Sequence, residues 1–295
     1  MDLEYNWFKR KIHEIAGIDL DSYRPEQMKR LMEKALDQAG AKNYVEFIKQ
    51  IKGSPVKIQQ FKDDLTINVS SLFRDLDRWM ELNKFIPGII SGKIAAEGGG
   101  IKTENRDAPT LRAWSAGCSI GAEPYSLAIL LEEYAASPAA RQFSYSIFCT
   151  DLDREMVHRA KEGVFTDKET AEIPARLLQK YFRRIERPDS AWARKSVASQ
   201  FYGAAPEIRS NLKFRIHNLL DERWEKGFDL IICRNVLIYF TREIKHRLFE
   251  KFGEALVAGG MLFIGGTEVI FTPGEFGLKN VTTGFYRKAE LSRQT

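Results

Sequence analysis

Cysteine and histidine are both scarce in this 295-residue chain, and their placement excludes two common sources of stability. Cys118, Cys149 and Cys233 are odd in number and show no CxxC spacing, so a disulfide framework is not expected. His13, His158, His217 and His246 are scattered without metal-ligand spacing, so no metal is expected. No apolar run approaches the roughly 20 residues of a membrane span, which argues against membrane insertion. The opening MDLEYNWFKRK lacks the basic-then-apolar order of a secretory signal, so the expectation is a cytoplasmic protein. There is no internal repeat. What is abundant is hydrophobic side chain, at 44%, enough for a sizeable core in a chain somewhat longer than one ordinary domain. Two domains, one of them small, follow.

Net charge is only +5, but it is unevenly placed. Between Arg176 and Arg215 ten Lys/Arg face three Asp/Glu, which leaves the remainder slightly acidic. Local basicity of this size suits either an acidic partner or a solvated surface.

The first seventy residues read as helices. Pro25 suits a first helical position, Met28, Leu31, Met32, Ala35 and Leu36 form one apolar face, and Gly40 stands where a C-cap glycine belongs. Asn43 can cap a second helix carrying Val45, Phe47, Ile48 and Ile51 and stopping at Gly53, and Ser54-Pro55 opens a third through Ile58, Phe61 and Leu65. Residues 1–75 are therefore taken as a helical domain and 76–110 as a connecting helix with a flexible linker, since Glu97 to Pro109 is glycine-rich and then polar. From 111 to 295, short apolar runs alternate with helical periodicity, the pattern of an α/β domain around a mostly parallel sheet. The clearest strands are Leu111 to Ala116, Tyr145 to Thr150, Phe228 to Cys233 and Met261 to Ile264. The basic stretch, about 176–215, breaks the alternation and reads as an inserted subdomain.

Three places on this frame can carry chemistry. The first strand runs into Gly117-Cys118-Ser119-Ile120-Gly121 before a helix from Pro124 to Leu131, a turn that lets a ligand approach the backbone at the carboxyl edge of the sheet. Its GxxxG spacing differs from the GxGxxG dinucleotide fingerprint. The second strand ends at Asp151, which can accept hydrogen bonds from a ribose diol or cap the following helix. The third strand, with four apolar residues in a row from Leu230 to Cys233, ends in Arg234-Asn235, polar residues emerging where a ligand is expected. Together these point to an adenosine-type ligand.

The strings LRAWSAGCSIGAEPYSLA, FCTDLD and FDLIICRNVLIYF, in this order, resemble the hallmarks of the CheR-type chemotaxis receptor methyltransferases. TINVSSLFRD and the N-terminal helices are similar to that family's leading segment and small N-terminal domain, so the likeness spans nearly the whole chain. The resemblance implies a Rossmann-like seven-stranded methyltransferase sheet, S-adenosylmethionine as donor, S-adenosylhomocysteine as product, and glutamyl methyl esters on a membrane chemoreceptor's cytoplasmic region or a similar acidic helical protein. It also implies cofactor contacts at Asn68, Ser70, Arg74, Gly117, Glu123, Asp151, Asn218, Leu219, Arg234 and Asn235, with Tyr239 near the reacting methyl and Arg74 as its catalytic companion. Lys29, Arg30 and Lys34 match the basic helix that the family lays against its receptor. Relatives that recognise a C-terminal receptor tether have a small β-subdomain with a glycine-containing loop at the place of Arg183 to Arg215; here that stretch is longer and shows no such loop.

A glutamate acceptor is already anionic near neutral pH, so the lack of an obvious catalytic histidine is in keeping. Rival readings are a nucleic-acid methyltransferase, which the basic stretch would serve, and a non-catalytic cofactor-binding signalling module. The first lacks both an Asn-Pro-Pro-Tyr string and a Pro-Cys nucleophile, so no nucleic acid is expected. A dinucleotide oxidoreductase is disfavoured by the glycine spacing. A monomer is expected.

Overall fold

The computed structural model describes residues 3–64, 70–96, 108–138, 140, 142–221 and 223–290. It falls into two compact units, Met1–Ile67 with Val236–Arg247, and Asn68–Asn235 with Leu248–Thr295.

The first unit is helical: α1 (Leu3–Ala16), α2 (Pro25–Ala39), α3 (Tyr44–Ile51) and α4 (Pro55–Asp64). Its punctuation is local chemistry. Pro25 opens α2, where a missing N–H costs nothing, and Gly40 closes it at φ 62°, a left-handed conformation in which Ala41 N–H reaches Leu36 O at 3.0 Å. The Asn43 side chain caps α3 by accepting from Glu46 N–H at 2.9 Å. Phe8, Ile12, Met28, Leu31, Met32, Phe47, Ile48, Ile51 and Phe61 form the core, each worth roughly 1.5–3 kcal/mol when fully buried. Val45 is exposed, because on a helix it lies away from the Phe47–Ile48–Ile51 face. Leu65 lies outside the described residues.

The returning segment Val236–Arg247 belongs to this unit through backbone pairing. Tyr23 bridges to Phe240 with rings 5.2 Å apart, Arg24 N–H donates to Tyr239 O at 2.9 Å, and Thr241 N–H donates to Ser22 O at 3.1 Å. The amino end of α2 is thus tied to Tyr239.

The second unit opens with α5 (Leu76–Ala96), which buries Trp79, Leu82, Ile86, Ile89, Ile90 and Ile94. That burial outweighs the roughly 3 kcal/mol cost of Pro87 inside the helix. There follow β1 (Thr110–Ala116), α6 (Ala122–Ala135), β2 (Ser144–Asp151), α7 (Arg154–Glu162), β3 (Val164–Thr166), α8 (Ala175–Tyr181), β4 (Phe182–Ile185), α9 (Ala191–Lys195), β5 (Phe201–Ala204), α10 (Pro206–Arg209) and β6 (Leu212–Ile216). The chain ends with β7 (Phe228–Cys233), α11 (Arg242–Ala255), which counts with this unit from Leu248 on, β8 (Leu256–Ile264), β9 (Leu278–Thr282) and β10 (Phe285–Lys288). The seven-stranded sheet runs β6-β2-β1-β7-β8-β10-β9, with β10 antiparallel to both neighbours and the other described pairings parallel. All six residues of β7 are buried, and its Asp229 is satisfied by Arg112 N–H at 2.8 Å and by Lys93 at 3.5 Å.

The insert is a three-stranded antiparallel sheet, β3-β5-β4. Its first strand lies ahead of the basic stretch, and the end of that stretch, Leu212–Ile216, is the edge strand β6 of the main sheet. Several cations there serve the fold. Arg187 donates to Ala193 O, Ser196 O and Ala198 O and lies over the Phe201 ring, Arg183 holds the end of α8, and Arg176 and Lys180 pair with Glu133. The β4–β5 connection contains α9 and no glycine.

Candidate active site

The segment Ser70–Asp75 has no regular structure but is pinned throughout. Leu72 N–H donates to Glu169 O at 2.8 Å, Phe73 N–H to Ser126 Oγ at 2.9 Å, and Asp75 N–H to Glu172 Oε2 at 3.0 Å. Phe73 and Asp75 are left-handed, at φ 57° and 58°. The other left-handed non-glycine residues among those described are Ser119 and Asn235, which follow β1 and β7. Such backbone is costly, and its concentration along one set of segments marks a site the surrounding fold must hold in place.

Beyond β1, Gly117 takes φ 81°, and Gly117 and Cys118 N–H both donate to Thr150 O, at 2.8 and 2.9 Å. Gly121 is also left-handed, at φ 85°, and a Cβ there would crowd Ala160 Cβ at 3.0 Å. Asp151 accepts from Ser119 N–H at 2.7 Å and Asp153 N–H at 2.9 Å, while Asp153 is the residue that caps α7. The capping alternative for Asp151 therefore falls to its neighbour. Burial pushes the Asp151 carboxyl above its ordinary value, with the Asp153 and Ser119 N–H groups pulling the other way. A carboxylate has about four acceptor positions, so these bonds leave capacity for a hydroxyl. His217 N–H donates to Asp151 O at 2.9 Å, which carries Asn218 and Leu219 to the same edge; Asn218 Oδ1 closes its own turn on Leu220 N–H at 3.0 Å, and Leu219 is buried.

Glu123, in the first turn of α6, is partly buried and accepts from Ser115 Oγ at 2.7 Å. Desolvation pushes its pKa up to about 7, against the opposing pull of Arg234 and the Ser115 hydroxyl.

Arg234 does not emerge from β7 as an open hand. Its side chain is 3% exposed, donates to Arg74 O at 3.1 Å, pairs with Asp75 at 2.7 Å, and lies over the Trp79 and Phe263 rings. Its Nε is buried without a hydrogen-bond partner, and burial lowers its pKa. Arg234 thereby locks the Ser70–Asp75 segment to the sheet. Asn235 is held by a residue that no sequence motif singles out: Glu268 Oε2 accepts from Asn235 N–H at 3.1 Å and Gly265 N–H at 2.7 Å.

Residues 68–285 match the family model "CheR methyltransferase, SAM binding domain", and residues 3–66 match "CheR methyltransferase, all-alpha domain". The chain belongs to the CheR methyltransferase family. A chemotaxis protein methyltransferase of Listeria monocytogenes is 36% identical over 289 residues, covering 98% of each chain. Its namesake in Listeria innocua is 37% identical with the same coverage, and one in Borreliella burgdorferi is 29% identical over 92% of this chain and 89% of that one.

Membership makes this chain an S-adenosylmethionine-dependent protein methyltransferase. Its residues fit that cofactor: the partly buried Glu123 carboxyl suits a cationic group, and Asp151 at the end of β2 suits a ribose. Of the expected contacts, Ser70, Arg74, Gly117, Glu123, Asp151, Asn218, Leu219, Arg234 and Asn235 all belong to the sheet unit, and Asn68 lies outside the described residues. Tyr239 and the exposed Lys29, Arg30 and Lys34 of α2 belong to the helical unit. Asp75, Ser126 and Glu268 were missed by sequence reasoning. An acidic residue just past a strand's carboxyl end was the available signal for Glu268. Among the described residues, no group of three or more potential ligands could hold a metal, and no helix is long and apolar enough to cross a membrane.

Proposed function

We propose that this enzyme methylates glutamate side chains of a chemotaxis receptor, or of a related signalling protein with an acidic helical surface, giving glutamyl methyl esters and S-adenosylhomocysteine in the cytoplasm. The observation that carries the proposal is the full-length likeness to chemotaxis protein methyltransferases. S-adenosylmethionine supplies the electrophilic methyl group. On this reading Asp151 binds the ribose, Glu123 a cationic group, and Ser70, Asn218, Leu219 and the Arg234–Asn235 turn complete the cofactor cradle, with Asn68 beside them. Arg74 and Tyr239 orient the acceptor, and Lys29, Arg30 and Lys34 draw it in. A carboxylate acceptor needs no deprotonation near pH 7, so the chain's task is alignment and removal of water, and positioning of this kind is worth roughly 7–11 kcal/mol.

The internal engagement of Arg176, Lys180, Arg183 and Arg187 weakens the case for the insert as a nucleic-acid surface. The deciding experiment is incubation with radiolabelled donor and a membrane extract containing receptors. The label is expected in protein, resistant to nuclease, and released as volatile methanol by brief mild alkali. Base-stable label would overturn the glutamate assignment.

A further inference from the structure

Strands β7 and β8 run parallel, and their described register ends at the pair Cys233–Ile264. Beyond it both chains leave the ladder: β7 passes through Arg234 and turns left-handed at Asn235 (φ 59°), and β8 passes into Gly265. At this point a side chain continues the pairing. Glu268 Oε2 accepts from Gly265 N–H at 2.7 Å and from Asn235 N–H at 3.1 Å, while Glu268 N–H closes the turn on Gly265 O at 2.9 Å. The residue is 5% exposed. Gly265 leaves the carboxylate its space, since a Cβ there would stand 2.5 Å from Oε2 and 3.2 Å from Asn235 N.

We propose that Glu268 is a positioning residue of the cofactor site, a bracket between the carboxyl ends of β7 and β8 that fixes the left-handed turn at Asn235 and, with it, the placement of the cofactor. The proposal rests on the reading of Arg234 and Asn235 as cofactor contacts. Three features carry it. Both bonds go to one oxygen, so a single atom spans two strand ends. A buried carboxylate is expensive unless its hydrogen bonds are made, so an apolar residue would serve better if only core packing were needed. Without the acceptor, the Asn235 N–H would lose its partner at a backbone position that is already unfavourable, leaving the turn free to relax.

Because one oxygen does the bracketing, its charge is secondary, and glutamine can replace it. The test is calorimetric titration of S-adenosylhomocysteine into the full chain and into its Glu268→Ala, Glu268→Gln and Asn235→Ala variants, with melting temperatures and steady-state kinetics alongside. Glu268→Ala is expected to weaken binding by about tenfold or more at unchanged stoichiometry, and to raise the donor KM more than it lowers kcat. Glu268→Gln is expected to stay within about threefold of the parent. A strand-end cap with no part in the site would lower the melting temperature of Glu268→Ala and leave its affinity alone, which overturns the proposal. If Glu268→Ala does not fold, the glutamine variant decides: a folded Glu268→Gln that has lost affinity refutes the bracket. Asn235→Ala separates the two readings. Weakened binding there with parent-like Glu268→Ala sinks only the role of Glu268, whereas parent-like binding in both removes the Arg234–Asn235 contact as well.

Discussion

In the sheet unit the Arg234 side chain is 3% exposed and 2.7 Å from Asp75, whereas on α2 of the helical unit Lys29, Arg30 and Lys34 are all exposed. The first cation is locked to the Arg74 carbonyl and stacked on two aromatic rings; the second group shares its solvated face with Glu26, Glu33 and Asp37. Burial makes charge rigid and costly, so a buried array is justified only if it organises something, here the Ser70–Asp75 segment and, on the proposed reading, the cofactor's surroundings. Exposed charge is cheap, adaptable and screened, which suits a macromolecular acceptor. The two regions should therefore respond to substitution on different scales.

The largest effect is expected at Glu123. Replacing Glu123 with Gln removes the carboxylate proposed to face the cofactor's cationic side, and truncating one partner of a buried charged pair costs about 2–5 kcal/mol of affinity. The same change should stabilise the ligand-free protein. With its pKa raised to about 7 in the fold, above the ordinary carboxyl value, the Glu123 contribution is fully present at pH 4 and is lost as pH rises through 7. Glu123→Gln should thus melt higher than the parent at pH 8, with the gap closing at pH 5. In the parent, affinity for S-adenosylhomocysteine should fall as pH drops below 7, because the proton competes with the ligand's amino group. A flat affinity between pH 6 and 8 would break the assignment.

Next comes Asp151. Asp151→Ala is expected to weaken S-adenosylmethionine and S-adenosylhomocysteine binding by about 1.5–3 kcal/mol, the worth of hydrogen bonds to a charged group. Because the carboxylate also accepts from Ser119 and Asp153 N–H, calorimetry needs Asp151→Asn beside it. Asparagine retains one acceptor oxygen and should fall between parent and alanine. Equal affinity in parent and a folded alanine variant would remove the ribose role.

How much of this could be read from the sequence depended on the range of the interactions. Gly40, Pro25 and Asn43 announced their helix ends because capping acts within four residues, and β7 was legible because burial on both faces writes four apolar residues in a row, Leu230 to Cys233. The insert's strands were not, since β3 has three residues and β4 reads Phe-Arg-Arg-Ile with only Phe182 buried. Motif strings picked out Arg234 among the expected cofactor contacts, but nothing local says that Asp75 will capture it across 159 residues. The attachment of Val236–Arg247 to the helical unit is equally nonlocal, resting on Tyr23 and Phe240, and Glu268 is a case of the same kind.

The smallest effect is expected on α2. At 100° per residue, Glu26, Glu33 and Asp37 form a central line on the exposed arc, with Lys29 on one side and Arg30 and Lys34 on the other. The face is therefore mixed, and each base has an acidic neighbour within a turn. An exposed ion pair is worth about 0.2–1 kcal/mol, so changing Lys29, Arg30 and Lys34 together to Gln should raise the acceptor KM by about threefold to tenfold at low salt. The difference should shrink by 0.5 M salt, where the Debye length is only about 4 Å, and S-adenosylhomocysteine affinity should not move. Stability should stay within about 1 kcal/mol, because no base of this set belongs to the unit's core. If the triple variant's acceptor KM equals the parent's at every salt concentration, the exposed cations of the insert, Arg184 and Lys195 among them, become the surface that draws in the acceptor. The contrast between rigid buried charge and adaptable exposed charge would then lie wholly within the sheet unit.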